Sequence, residues 1–264
     1  MKNILVPIGS SKNAVNTLQY AIDFAQVIQA EVIVFRAFSF AARAGAIINV
    51  GDIIAREQVA DVNEVIEQVD RKDVSIKVAT AKGSVIDSIE TINNEIGIDL
   101  VIVGPRPNDL QENYFLGKTS GSIIKQTDIP VLIIPEGFTF KPVKKVLTAI
   151  KSGVVSKENA LVPLEKILDS FKAKMHLLQV KTKDFLPEDL AFYNELAAIT
   201  SSYNSSENAT LFQGVLEHIN THNPDILCVF RRKRGFFKRL WEQNTIKKID
   251  FESRVPLLVL KGAE

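Results

Sequence analysis

A pair of apolar runs occurs twice in this chain, with the same grammar each time. In the first copy an aspartate opens the run DLVIV, Asp99 to Val103, and Pro130 later admits a second run, Val131 to Ile134. In the second copy Asp225 opens DILCVF, which ends at Phe230, and Pro256 lies in the run VPLLVL, Val255 to Leu260. The interval between the paired runs agrees to within a residue. Runs that are apolar on both faces suit parallel strands covered by helices, because such strands meet no water on either side. Repetition on this scale predicts a tandem of two α/β domains, with boundaries at residues 1–137 and 138–264. In an open sheet of this type, ligands bind where a loop leaves the carboxyl end of a strand and feeds a helix N-terminus.

Composition sets the outer limits. Hydrophobic residues make up 46% and charged residues 24% of the chain, an ordinary balance for a globular protein. At 264 residues there is enough chain for two modest cores. The formal net charge is +1, with an excess of acidic residues in the first half and of basic residues in the second. No nucleic-acid partner is expected from so small a net charge. Cys228 is the single cysteine and sits inside an apolar run, so it reads as a buried thiol and no intrachain disulfide can form. The apolar run near the N-terminus is too short for a signal peptide, and no stretch approaches the length of a membrane span. A cytoplasmic location is the expectation.

In the first half, Asn3 to Ile8 reads as a strand and Gly9-Ser10-Ser11 as the turn into a helix whose stripe is Ala14, Leu18, Ala21, Ile22, Ala25 and Ile28. Glu31 to Phe35 is the second strand. Residues 36–50, RAFSFAARAGAIINV, form a loop too apolar to lie freely in water. It is expected to fold over the sheet edge or pack on the other half, or else to serve as a lid or partner surface. A helix follows at 52–70, a strand at 74–79, and a helix opened by Gly83-Ser84. The two runs of the repeat complete a count of five strands and four helices.

In the second half, strands are expected at 144–150 and 174–180, and helices at 156–170 and 187–200. Pro163 is tolerable only in the first turn of its helix. The third strand is obscure, because serine and asparagine dominate 201–208 and only Ala209 to Leu211 looks extended. A helix at 214–220, the strand at 226–230, a helix near 240–251 and the strand at 256–260 end the chain.

The order and spacing of MKNILVPIGSSKNA, DLVIVGPRPN and LGKTSGSIIKQTDIPVLIIP, followed by DILCVFRRKRGFFKRLW and VPLLVL, resemble the landmarks of the universal stress protein family in its tandem two-domain form. The resemblance covers essentially the whole chain. It implies two five-stranded parallel sheets in the order 3-2-1-4-5, Rossmann-like, packed as a pseudo-dimer through their last strands. Val131–Ile134 would then pair antiparallel with Pro256–Leu260, which would hide two edges that are otherwise open templates. Many family members bind ATP through a loop that resembles glycine, two residues, glycine, nine residues, glycine, then serine or threonine. These landmarks fall on Gly104, Pro107, Gly117 and Lys118, with Thr119 and Ser120 following. Pro107 stands where the second glycine would offer an N–H, and Gly9 stands where an acidic residue usually contacts the nucleoside.

The candidate ligand residues are therefore Gly104, Arg106, Gly117, Lys118, Thr119 and Ser120. Hydroxyls, a cation and helix N-terminal N–H groups suit a phosphate, so the expected ligand is weakly bound ATP or another phosphorylated molecule. The alternative is that Thr119 or Ser120 merely caps the helix while Lys118 and Arg106 stay in water. The letters GKT are not a P-loop, since Glu112 stands where its first glycine belongs and the run follows the fourth strand.

The second half looks eroded at the matching places, with Lys151 after its first strand and Gln243 in place of Gly117. Its loop carries Arg231, Arg232, Lys233, Arg234, Lys238 and Arg239, which reads as a solvated surface or as a site at 231–239 for an anion, a protein partner or an acidic membrane. His218 and His222 have metal-pair spacing without a third ligand in the sequence, and no metal site is expected. No nucleophile elbow or paired-carboxylate signature is present. The expected function is that of a non-enzymatic stress-response protein acting by binding. A scaffold with both sites vestigial and a weak ATP hydrolase are the alternatives, and further dimerisation is open.

Overall fold

The computed structural model describes residues 1–9, 13–38, 50–105, 114–153, 159–191, 194–231, 246–247 and 253–261. In the first half the chain runs β1 (Asn3–Pro7), α1 (Ala14–Ile28), β2 (Glu31–Phe38), α2 (Val50–Glu67), β3 (Ile76–Lys82), α3 (Val85–Ile96), β4 (Leu100–Val103), β5 (Tyr114–Leu116), α4 (Lys118–Gln126) and β6 (Val131–Ile133). The second half runs β7 (Lys145–Ile150), α5 (Val162–Phe171), β8 (Lys174–Lys181), α6 (Asn194–Ala198), β9 (Thr200–Glu207), α7 (Leu211–His222), β10 (Ile226–Arg231), β11 (Ile246–Lys247) and β12 (Leu257–Lys261).

Ten strands form one sheet in the order β3-β2-β1-β4-β6-β12-β10-β7-β8-β9. Every neighbouring pair is parallel except β6 and β12, which run antiparallel with Leu258 opposite Leu132 and Val259 opposite Val131. Each half thus has the expected order, and the two join through their last strands. The aspartates that open the repeated runs have matching roles. Asp99 Oδ2 accepts from the backbone N–H groups of Lys2 and Asn3 at 2.6 and 3.0 Å, and Asp225 Oδ2 accepts from those of Lys144 and Lys145 at 2.7 and 2.9 Å. Each carboxylate ties the amino end of one strand to its neighbour.

Apolar side chains cover both faces of the sheet, as the doubly apolar strands require. One face packs under α1, α2 and α5 around Leu18, Phe24, Leu132, Leu164 and Leu258. The other packs around Leu5, Ile89, Ile123, Val131 and Val259. The first face crosses the seam without a break, and an aromatic cluster reinforces it. Tyr20 meets Phe140 edge-on with ring centroids 5.4 Å apart, and Phe24 lies 5.2 Å from Phe171 of α5.

Several sequence expectations are corrected. The third strand of the second half is β9, the run TSSYNSSE, and not Ala209 to Leu211. As the outermost strand it pairs only with β8 and is largely exposed, so it needs no apolar pattern. Thr210 instead caps α7, its hydroxyl accepting from Gln213 N–H at 3.1 Å. The single helix expected at 187–200 is a 3-10 turn, Pro187–Leu190, and the short α6. Pro163 falls in the first turn of α5, where its missing N–H costs nothing. Ile246–Lys247, expected within a helix, form a strand paired antiparallel with Tyr114–Leu116 of the first half.

Candidate ligand site

The carboxyl ends of β1, β2 and β4 and the first turns of α1, α3 and α4 surround a cavity of about 280 Å³. This is the crevice position expected for an open α/β sheet. Ile8, Phe35, Ala37, Val85 and Val103 give it apolar walls, and Thr17, Thr119 and Ser120 bring hydroxyls to it. Gly9 lies at its rim and is exposed.

Gly104 is required by close packing. A Cβ built on it would lie 2.2 Å from Thr17 Oγ1 and 2.8 Å from Asn13 Nδ2, so the end of β4 can approach α1 only without a side chain. Two bonds fix the chain there. Ser120 Oγ donates to Gly104 O at 3.2 Å, and Asn13 Nδ2 donates to Pro105 O at 3.3 Å. Gly117 is the N-cap of α4 in ordinary extended backbone, with no side chain capping the helix. The first helical bond is Gly121 N–H to Gly117 O, which leaves the N–H groups of Lys118, Thr119 and Ser120 without intrahelical partners. Ser120 is spent on Gly104 and does not cap the helix.

The structure thus brings Gly104, Gly117, Lys118, Thr119 and Ser120 to one corner. Arg106 and Pro107 lie outside the described residues, as do residues 39–49 of the apolar loop expected at 36–50. Thr17 was not singled out from the sequence. It is 3% exposed, lines the cavity, and its Oγ1 has no hydrogen-bond partner. A hydroxyl interrupting the stripe Ala14, Leu18, Ala21 was the available signal.

The second half differs at the matching positions. The matched strand-end bonds, Glu31 N–H to Lys2 O against Lys174 N–H to Lys144 O, set the equivalences. They place Val180 at the position of Ala37 and Lys151 at that of Gly9, and the matched Asp99 and Asp225 place buried Phe230 at that of Gly104. Lys151 Nζ donates to Asp184 O at 2.6 Å and to its carboxylate at 3.0 Å, with Asp189 3.7 Å away. The Thr182 hydroxyl and then Lys151 hold the Asp184 carboxyl below its usual range. Fully buried Gln179 donates to Lys151 O and Asp189 O and accepts from Tyr203 Oη at 2.7 Å. Among the described residues, Lys151 and Gln179 thus belong to one bonded group at this end of the second half.

Arg231 corrects the reading of a solvated basic loop at its first residue. Its guanidinium, 18% exposed, donates to the carbonyls of Ile124 and Thr127 at the end of α4, and Asp128 pairs with Lys261 beside it. Residues 232–245 lie outside the described residues. The three histidines gather at the amino ends of β8 and β10, with ring centroids 5.3 Å apart for His176 and His222 and 6.1 Å for His218 and His222. No group of three or more His, Cys, Asp or Glu among the described residues is placed to hold a metal. Among the described residues no helix is long and apolar enough to cross a membrane.

Residues 1–135 match the model of the universal stress protein family. The fold is shared with a universal stress protein from Archaeoglobus fulgidus DSM 4304, at 18% identity over 98% of each chain and a TM-score of 0.71. It is also shared with a functionally unknown protein from Pseudomonas aeruginosa PAO1, at 15% identity over 99% of this chain and 93% of the other, with a TM-score of 0.59. No curated protein matches the chain.

Proposed function

Since the chain belongs to the universal stress protein family, we propose that it is a stress-response protein of two units, 1–137 and 138–264, that acts by binding and not by catalysis. Its ligand is a small phosphorylated molecule held in the first-half crevice. The observation that carries this reading is the corner where the first N–H groups of α4, without intrahelical partners, stand beside Gly104 at a cavity lined by Thr119 and Ser120. Helix N-termini attract anions through N–H groups that lack intrahelical partners and through the helix dipole. The second half contributes support instead of a second site, which is favoured by Phe230 at the position of Gly104 and by Lys151 in place of Gly9, bonded to Asp184.

ATP is a weak ligand at best in this reading. Gly9 supplies no carboxylate for a ribose hydroxyl, and leaving such a group unpaired on burial costs about 1–3 kcal/mol, or about ten- to a hundredfold in affinity. The described residues around the cavity offer no carboxylate or imidazole to act as a general base, which favours binding over hydrolysis. Native mass spectrometry of the purified protein, followed by calorimetric titration with inorganic phosphate and Mg-ATP, tests the reading. Phosphate-competed binding is the expected result. Micromolar ATP binding or metal-dependent ATP turnover would overturn the assignment in favour of a nucleotide site or a hydrolase.

A further inference from the structure

The ten-stranded sheet ends in β3 on one side and in β9 on the other. A strand with one neighbour presents a row of backbone N–H and C=O groups that another strand can use, and proteins guard such edges with lysine, proline or a bulge. β3 carries Lys77 and Lys82. β9 is eight residues long, and its run TSSYNSS before Glu207 holds no charge and no proline. Its one irregularity lies at the start, between Met175 and His176 of β8, and Ser202 to Glu207 then pair in unbroken register with His176 to Lys181. Asn208 N–H donates to Lys181 O, so by strand alternation the backbone groups of Ser201 and Ser205 point away from β8. Both serines are exposed. An apolar patch adjoins this edge. Gln179 accepts from Tyr203 Oη and donates to Asp189 O, which brings the tyrosine beside the 3-10 turn Pro187–Leu190. Tyr203 is 47%, Leu186 50% and Leu190 52% exposed.

We propose that the β9 edge is a homodimer interface, at which a second copy of this chain adds its own β9 antiparallel. Charge and symmetry name this occupant. A two-fold axis normal to the sheet sets two β9 strands antiparallel and uses both outer edges at once. Within TSSYNSS such a pair brings no like charges together, whereas the same pairing of β3 would gather the lysines of two copies along one seam. Each contact occurs twice by symmetry, so the outward backbone groups of Ser201 and Ser205 count double. Tyr203, Leu186 and Leu190 supply apolar area that a hydrogen-bonded edge alone lacks.

The test is analytical ultracentrifugation of the full chain over a concentration series at low and high salt. A dimer whose Kd changes little with salt is expected, because the seam is uncharged. A monomer at every concentration would overturn the proposal. So would a dimer that salt dissolves, since that would join the acidic first half of one copy to the basic second half of another. Ser205→Pro removes an N–H that faces away from β8, and it should weaken the dimer at least about tenfold because the lost bond is lost twice. Ser205→Lys should weaken it as well, by setting two cations at the seam. Val78→Lys on the β3 edge, where Val78 is 39% exposed, should leave the dimer intact. An unchanged dimer in both Ser205 variants, or equal loss in Val78→Lys, would overturn the assignment. Hydrogen exchange on the unaltered protein needs no variant to fold. The amides of Ser201 and Ser205 should exchange more slowly in the dimer than in the diluted monomer, and equal rates would place the seam elsewhere.

Discussion

Arg231, the last residue of β10 in the second half, donates its guanidinium to the carbonyl of Ile124 in the final turn of α4 in the first half. The same group reaches Thr127 O at 3.2 Å. The last carbonyls of a helix have no intrahelical donors, and a cation there also complements the helix dipole. The helix whose N-terminus faces the cavity is therefore held at its other end by the opposite half. Just before that N-terminus, Tyr114–Leu116 pair with Ile246–Lys247, so the second half grips the approach to α4 as well.

Replacing Arg231 with Met should destabilise the protein by about 1.5–3 kcal/mol, the range for hydrogen bonds to a charged group. Urea denaturation would show a lower midpoint at unchanged slope. Arg231→Lys should recover only part of the loss, because an ammonium cannot span both carbonyls as the planar guanidinium does. An unchanged midpoint in Arg231→Met would mean that the contact contributes nothing net.

Gly104→Ala should cost about 1–3 kcal/mol through overpacking, because the added methyl must displace Thr17 Oγ1. Combined with Thr17→Ala, the cost should be smaller than the sum of the two single changes. Thermal melts of the four proteins in this cycle measure the coupling. Strict additivity would contradict the close approach.

The seam between β6 and β12 should behave as one core. Leu132 and Leu258 face each other and are both fully buried. Truncating either to Ala should cost about 2–5 kcal/mol and lower the stability of both halves in a single transition. Separate unfolding of the halves, read by calorimetry on the parent and on Leu132→Ala, would refute a shared core.

Burial, and then the charges of Lys145 and Lys174, keep the His176 imidazole below its ordinary range. Burial, and then His176, His218 and Lys145, do the same to His222. His176 Nδ1 also shares a hydrogen bond with Ser202 Oγ at 2.5 Å. The unfolded chain binds protons at these positions more readily than the folded one. Stability should therefore rise with pH through the histidine range and fall as the pH drops below about 6.5. His222→Gln should flatten that slope between pH 7 and 5 in pH-dependent urea melts. A parent protein whose stability does not change over this interval would count against the cluster.

Cys228 is fully buried in β10, and burial pushes its thiol up to about 12. Thiolate is the reactive form, so maleimide labelling of the native protein should be very slow. Denaturant should expose the thiol, and labelling should track global unfolding because β10 lies near the middle of the sheet. Rapid labelling under native conditions would show local opening of that strand.

The sequence by itself determined the repeat, the doubly apolar strands and the helix stripes. Strands such as Leu100–Val103 and Leu257–Lys261 are short-range statements that each residue makes about its own burial. The corner at Gly104, Gly117, Thr119 and Ser120 was legible for the same reason, since a glycine at a strand end and a small-residue helix start lie close in the chain. The tertiary structure decided the rest. β9 could not be read because an edge strand answers to one neighbour, and its serines carry no burial signal. Thr17 met Gly104 only when β4 was laid against α1, and Arg231 became a helix clasp only when β12 paired with β6. Phe230 reads as one more core residue until the two halves are aligned and it is found at the position of Gly104. In each case the partner is far away in sequence, and the energy lies in packing and desolvation between surfaces that no local pattern records.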